Sequence, residues 1–138
     1  MNKLVELIKK ARFVFICGNG GSSATAEHFA SGLFSKGIKA ICLNSNTSVM
    51  TMIANDFGYE YVFMKQLEVF ANFEDLLITI SCSGTSPNVV NTIDYANFIK
   101  MKVYEFETFN LTDKNFTKDY GKLEDKHLKF AHKVEKRI

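Results

Sequence analysis

The stretch Phe13-Val14-Phe15-Ile16-Cys17-Gly18-Asn19-Gly20-Gly21-Ser22-Ser23 decides how this chain is read. Its first five residues form an unbroken apolar run, the mark of a short strand buried on both faces. A helical pattern begins near Ser22. Strand, glycine turn and helix together aim free backbone N–H groups, and the positive end of a helix dipole, at one point in space. The glycines let a backbone approach a ligand closely, and Ser22 or Ser23 is placed to cap the helix and offer a hydroxyl. A plainer reading of residues 18–23 is a tight strand-to-helix turn with a serine cap and no ligand.

Working outward, Asn2 to Lys10 places Leu4, Leu7 and Ile8 on one face of a short amphipathic helix ahead of a first strand, Arg12 to Cys17. From Ser22 to Lys36 the stripe Ala26, Phe29, Ala30 and Leu33 has helical spacing, and Gly37 stops it. Ile38 to Leu43 predicts a second strand, Val49 to Ala54 a short helix, Asn55 to Gly58 a turn, and Tyr59 to Ala71 a helix. Leu76 to Ile80 predicts a third strand, followed by a second polar loop, Ser81-Cys82-Ser83-Gly84-Thr85-Ser86-Pro87. Pro87 suits a first helical position with Ser86 as its cap, and Val89, Val90, Ile93 and Ala96 give the apolar stripe of the helix that follows. Lys102 to Phe106 reads as a fourth strand, Thr108 to Lys126 has no clear pattern, and His127 to Val134 reads as a fifth, edge-like strand. Strands alternating with helices predict an α/β fold, a parallel sheet of about five strands with helices on both faces. Both polar loops then lie at the carboxyl edge, where such sheets bind ligands.

Composition narrows the function classes. The chain has 138 residues, 46% hydrophobic and 23% charged, with a formal net charge of +2. One domain, 1–138, is expected, and that charge gives no case for nucleic acid or a membrane surface. No apolar run reaches the roughly 20 residues of a membrane span, and the charged Met1–Lys10 does not read as a signal peptide. Cys17, Cys42 and Cys82 are odd in number and lack a C-x-x-C spacing, which predicts reduced thiols in the cytoplasm.

Two nucleotide motifs fail on these loops. The dinucleotide fingerprint wants glycine where Ser23 stands and an acid where Leu43-Asn44-Ser45 ends the second strand, and neither loop has the lysine of a P-loop. Ser81, Ser83, Thr85 and Ser86 offer hydroxyls beside the amides of a helix start, a set that suits one phosphate monoester. An ordinary serine-rich turn is the alternative. Asn19, Asn55 and Asp56 fall on the same edge, as contacts for the hydroxyls of a small polyol or as plain turn residues. His28 lies about 200° around its helix from Ala26, away from the sheet, and so faces water, another subunit or a ligand.

These residues carry a resemblance. Cys17 to Ala24 with His28-Phe29-Ala30, Ala54-Asn55-Asp56-Phe57-Gly58-Tyr59, and Ile80-Ser81-Cys82-Ser83-Gly84-Thr85-Ser86 resemble three ordered motifs of the phosphoheptose isomerases, members of the sugar isomerase (SIS) superfamily. The similarity is strongest over 13–96. It implies a flavodoxin-like three-layer sandwich and a homodimer or homotetramer with sites between subunits. It also implies a phosphorylated sugar, heptose or hexose phosphate, as ligand. By that resemblance Asn19, Gly20, Gly21, Ser22, Asn55 and Asp56 contact the sugar. Ser81, Cys82, Ser83, Thr85 and Ser86 hold its phosphate, and His28 matches a zinc ligand.

The departures set the functional expectation. Gly32 stands where the family has a glutamate that ligates zinc and serves as base, and the segment preceding Arg12 is short. Val134 to Ile138 resembles the lead-in to a last helix bearing a glutamine and a second histidine, so the chain is expected to be truncated at both ends. No metal and no cofactor are expected, with His28 as the surviving zinc-ligand position and His127 or His132 as possible replacements from the tail. The preferred reading is a phosphosugar-binding module without catalysis. An active sedoheptulose 7-phosphate isomerase, with a base among His28, Asp56 and Glu60 or from another chain, is the alternative. A third reading is a degenerate isomerase kept only for oligomerisation.

Overall fold

The structure, a computed structural model, describes residues 1–109 and 118–138. In chain order its elements are α1 (Asn2–Lys10), β1 (Val14–Gly18), α2 (Gly21–Ser35), β2 (Ala40–Cys42), α3 (Thr47–Asp56), a 3-10 turn (Tyr59–Tyr61), α4 (Met64–Phe70), β3 (Leu76–Ile80), α5 (Pro87–Phe98), β4 (Lys102–Glu105) and α6 (Tyr120–Glu135). The strands form one parallel sheet in the order β2-β1-β3-β4, with Val14 opposite Ala40 and Leu76, and Leu76 opposite Lys102.

Alternation along β1 divides the core. Val14 and Ile16 join α1, α2 and α6 on one face, through Leu4, Ile8, Ala26, Phe29, Leu33, Ala131 and Val134. Phe15 and Cys17 join α3, α4 and α5 on the other, through Ile53, Phe63, Leu67, Val89 and Ala96. Helices cover both faces, which is why β1 and β3 are buried at every position.

A buried carboxylate ties the amino ends of the two central strands. Asp75 accepts from Arg12 Nε at 3.0 Å and Nη2 at 2.8 Å, and from the Phe13 and Asn72 amides at 3.0 and 2.8 Å. That clamp leaves the opposite, carboxyl edge free to carry loops.

The structure corrects several expectations. Among the described residues the sheet has four strands, because His127–Val134 is not an edge strand but part of α6. Asp119 caps that helix, accepting from the Lys122 amide at 3.0 Å, and Leu123, His127, Ala131 and Val134 make its buried stripe. The unpatterned stretch 108–126 lies partly outside the described residues, and its end opens α6. Asn55 and Asp56 belong to the end of α3 rather than to a turn, and Tyr59–Ala71 divides into a 3-10 turn and α4. Val90 is exposed instead of buried, while Leu4 and Ile8 are wholly committed to the core. The three cysteines are buried and unpaired. No helix of the described residues is long and apolar enough to cross a membrane.

Candidate functional site

The order β2-β1-β3 reverses direction between β1 and β3, and the crevice outside such a reversal is where parallel α/β sheets place ligands. Both polar loops open there. Asn19 and Ser22 from the first, and Ser81, Cys82, Ser83 and Ser86 from the second, line one cavity of about 140 Å³, joined by Tyr120 and Glu124 of α6. That volume is well under the roughly 300–1,000 Å³ that encloses a drug-sized ligand and suits an anionic group with the rest of its molecule outside.

The first loop owes its shape to Gly20, which caps α2 at φ +57°, a conformation that side chains resist. Helix α2 therefore starts one residue earlier than expected and has no serine cap. Ser22 instead is buried and hydrogen-bonds the Cys82 thiol. The Asn19 side chain is fixed from two sides. Its Oδ1 accepts from Asn88 Nδ2 at 2.9 Å and from the Tyr59 hydroxyl at 3.0 Å, and its Nδ2 donates to Asn88 Oδ1 at 2.8 Å. Asn44, in the position that a dinucleotide fold gives to an acid, binds the Gly18 backbone through both its amide atoms.

In the second loop the Gly84 amide donates to Ser81 Oγ at 3.0 Å and the Thr85 amide to Ser83 Oγ at 3.2 Å. A serine oxygen that accepts in this way keeps its own hydrogen to donate outward. Ser86 is the N-cap residue of α5 but its hydroxyl makes no cap bond. Burial, and then the Glu124 carboxylate, push the Cys82 thiol above its ordinary range, so that it lines the cavity as a neutral group.

Not every expected residue arrives. Thr85 is not among the cavity residues, and neither are Asn55 and Asp56, whose side chains hydrogen-bond each other at 2.8 Å at the end of α3. Gly20 and Gly21 shape the entrance. A Cβ on Gly21 would lie 2.5 Å from the Glu124 carboxylate, so the bare helix start admits that side chain. Tyr120, Glu124 and Asn88 join the site without a motif in the sequence to mark them, and Tyr59 enters it from the end of the 54–59 motif.

The same pair of helices makes a second cluster. His28 Nε2 lies 2.8 Å from His132 Nε2, the rings meeting edge to face. A ligand atom of Glu135 lies within 4.8 Å of both. Glu135 occupies the space over Gly32, where a Cβ would collide with its carboxylate. Glu135 Oε1 is buried and has no hydrogen-bond partner, a state that costs about 1–3 kcal/mol or more. Two imidazoles and one carboxylate are a donor set that zinc takes at open, catalytic sites. His127 is elsewhere: it is buried, with Nε2 donating to the Glu107 carbonyl at 2.6 Å and its ring against Phe106.

The chain belongs to the SIS domain family, whose model matches residues 1–106. It is similar to the phosphoheptose isomerase of Helicobacter pylori, 46% identical over 105 residues covering 72% of this chain and 55% of that protein. A phosphoheptose isomerase of Aliarcobacter butzleri is 36% identical over 145 positions, covering 94% of this chain and 77% of that one. The solved phosphoheptose isomerase of Neisseria gonorrhoeae superimposes with a TM-score of 0.86 at 27% identity, over 98% of this chain and 80% of that one. The match to the Helicobacter pylori protein thus spans about half of that protein's length.

Proposed function

We propose that this chain binds a phosphorylated sugar of the heptose or hexose class, with the phosphate in the cavity at the β1/β3 reversal. The observation that carries the reading is the convergence of Ser81, Ser83 and Ser86 with Asn19 and Ser22 around one anion-sized space. Hydroxyl hydrogens of Ser81 and Ser83, left free by their acceptor bonds to the loop, donate to the phosphate oxygens. The start of α5 adds its dipole. Asn19, locked by Asn88 and Tyr59, presents a fixed edge to the sugar beside it. Residues 1–138 act as one unit, whose three buried thiols suit the reducing cytoplasm, and copies pair through exposed apolar groups such as Phe34.

A second reading adds aldose–ketose isomerisation, and the meeting of His28, His132 and Glu135 favours it. That reaction moves a proton between neighbouring carbons and builds negative charge on the adjoining oxygens. A divalent ion held by those three residues would supply stabilisation for that charge. Between Gly21 and His28 the axis of α2 advances roughly 10 Å, so a sugar anchored by its phosphate at the helix start extends towards the histidines. With the ion in place the facing Nε2 atoms of His28 and His132 are its ligands, so the proton is passed by other groups beside the sugar. Asp56 is not among them, since its bond is to Asn55.

Calorimetric titration with a heptulose 7-phosphate tests the binding reading. Saturable binding is expected, with the unphosphorylated sugar binding far more weakly. Equal affinity for both would remove the phosphate assignment. Turnover of the same compound by zinc-loaded protein separates the second reading from the first.

A further inference from the structure

A larger cavity, of about 450 Å³, lies between the end of β4 and α6, and the sugar reading makes no use of it. Its volume falls within the roughly 300–1,000 Å³ that encloses a drug-sized ligand. Among the described residues β4 is the outermost strand on its side of the sheet, so the cavity opens past the sheet edge. Tyr104 and Phe106 stand two residues apart and so share a face, and Phe130 of α6 meets them there. The Phe130 ring lies parallel to Tyr104 with centroids 6.5 Å apart and edge-on to Phe106 at 5.1 Å. Phe106 in turn meets the His127 ring edge-on at 5.6 Å. Rings that hold one another in this way make a preformed apolar wall, yet Tyr104 and Phe130 are only half-buried.

The rim of this cavity is cationic. Lys126, Lys129 and Lys133 line it, three and four residues apart and so on one face of α6, against a single carboxylate, Glu107. Lys126 Nζ already pairs with that carboxylate at 3.2 Å. Lys129 and Lys133 are exposed and have no ion-pair or hydrogen-bond partner among the described residues. We infer that the cavity binds a nucleoside diphosphate, its base against Phe130 and Tyr104 and its diphosphate at Lys129 and Lys133. A planar heteroaromatic ring is what the aromatic wall can stack on, and a plain phosphosugar has no such face. Two ammonium groups one helical turn apart match two linked phosphates better than one. His127 adds an independent sign. Its Nε2 donates to the Glu107 carbonyl at 2.6 Å, so in the neutral ring Nδ1 keeps its lone pair, and that buried atom has no partner. A polar atom so placed costs about 1–3 kcal/mol, and an amino or hydroxyl hydrogen of a nucleoside in the cavity satisfies it. No glycine-rich nucleotide motif is required, because side chains of α6 rather than loop amides hold the phosphates.

This site shares no residue with the cavity at the β1/β3 reversal, so it stands or falls apart from the sugar reading. The test is calorimetric titration of the full chain, free of divalent ions, with ADP and with UDP. Adenosine and inorganic pyrophosphate serve as the two halves of the ligand. One nucleotide per chain is expected, with adenosine and pyrophosphate each bound at least about tenfold more weakly. The Lys129→Ala/Lys133→Ala variant changes only exposed side chains and should weaken the nucleotide by about tenfold or more. Phe130→Leu keeps the apolar bulk but removes the ring and should cost about tenfold. The Ser83→Ala/Ser86→Ala variant should bind the nucleotide as the parent does. Circular dichroism checks each fold, and the lysine variant carries the test if Phe130→Leu does not fold. Four results would overturn the assignment: no binding of either nucleotide, pyrophosphate bound as tightly as the nucleotide, unchanged affinity in the lysine variant, or loss of the nucleotide in Ser83→Ala/Ser86→Ala. The second would mean a lysine patch that takes any polyanion, and the last would move the nucleotide to the sugar cavity.

Discussion

The two ends of the contact between α2 and α6 use the same device for opposite purposes. At the amino end, Gly21 admits Glu124, whose carboxylate joins the wall of the cavity lined by Ser22, Ser81 and Ser83. About three turns further on, Gly32 admits Glu135, whose Oε1 is buried without a hydrogen-bond partner beside two histidines. On the proposed reading the first carboxylate stands next to a bound anion and repels it, and the second faces a cation. One glycine in each case decides that the neighbouring helix, not α2, provides the charge. A negative group is thus read by what faces it rather than by its residue type.

Substitutions can break or sharpen this contrast. The largest effect is expected at the cation end. Zinc at about 1,000 times its dissociation constant should stabilise the folded chain by about 4 kcal/mol, and His132→Ala should lose that gain. Thermal or urea unfolding with and without zinc measures it. Equal stabilisation of His132→Ala would show that the ion binds somewhere else and would erase the difference between the two ends.

At the anion end the effect is smaller and has the opposite sign. Glu124→Gln removes a like charge beside the cavity and should tighten inorganic phosphate by roughly 0.5–1 kcal/mol at low ionic strength, with less gain as salt rises. Weaker binding in this variant would mean that the carboxylate accepts from the ligand, so that both ends attract their occupants. Smallest of all is Asp56→Asn. With its side chain bonded to Asn55 and outside the cavity, phosphate affinity should stay within about 0.5 kcal/mol of the parent. A larger loss would bring the end of α3 into the phosphate site.

Much of the cavity at the carboxyl edge was legible in the sequence because its parts are local. The apolar runs at Phe13–Cys17 and Leu76–Ile80, each followed by a glycine- and serine-rich loop and a helical stripe, foretell two strand-loop-helix units whose ends meet at one edge. Helix α6 was harder. Its segment His127-Leu128-Lys129-Phe130-Ala131-His132 mimics the alternation of an edge strand, because the buried His127 counts as polar in any hydropathy pattern. The steps from Leu123 to His127, Ala131 and Val134, with Asp119 in front as cap, carry the helical signal once that histidine is allowed inside. The partnership of Glu135 with Gly32 is not legible at all. It depends on two helices about a hundred positions apart docking in parallel, and a glycine in a sequence does not say what will occupy its space. Asn55 and Asp56, expected beside the sugar, stand at the end of α3 and outside the small cavity, a placement fixed by how α3 packs and not by their polarity.

Calorimetry on the Ser83→Ala/Ser86→Ala variant tests the phosphate site most directly. These two hydroxyls sit in a polar loop and support no core packing, so the fold should persist while the affinity for a heptulose 7-phosphate falls by roughly 2–5 kcal/mol, about 1–3 per lost bond to a charged group. An affinity equal to that of the parent chain would contradict the account, because the cavity at the β1/β3 reversal would then not be where the phosphate binds.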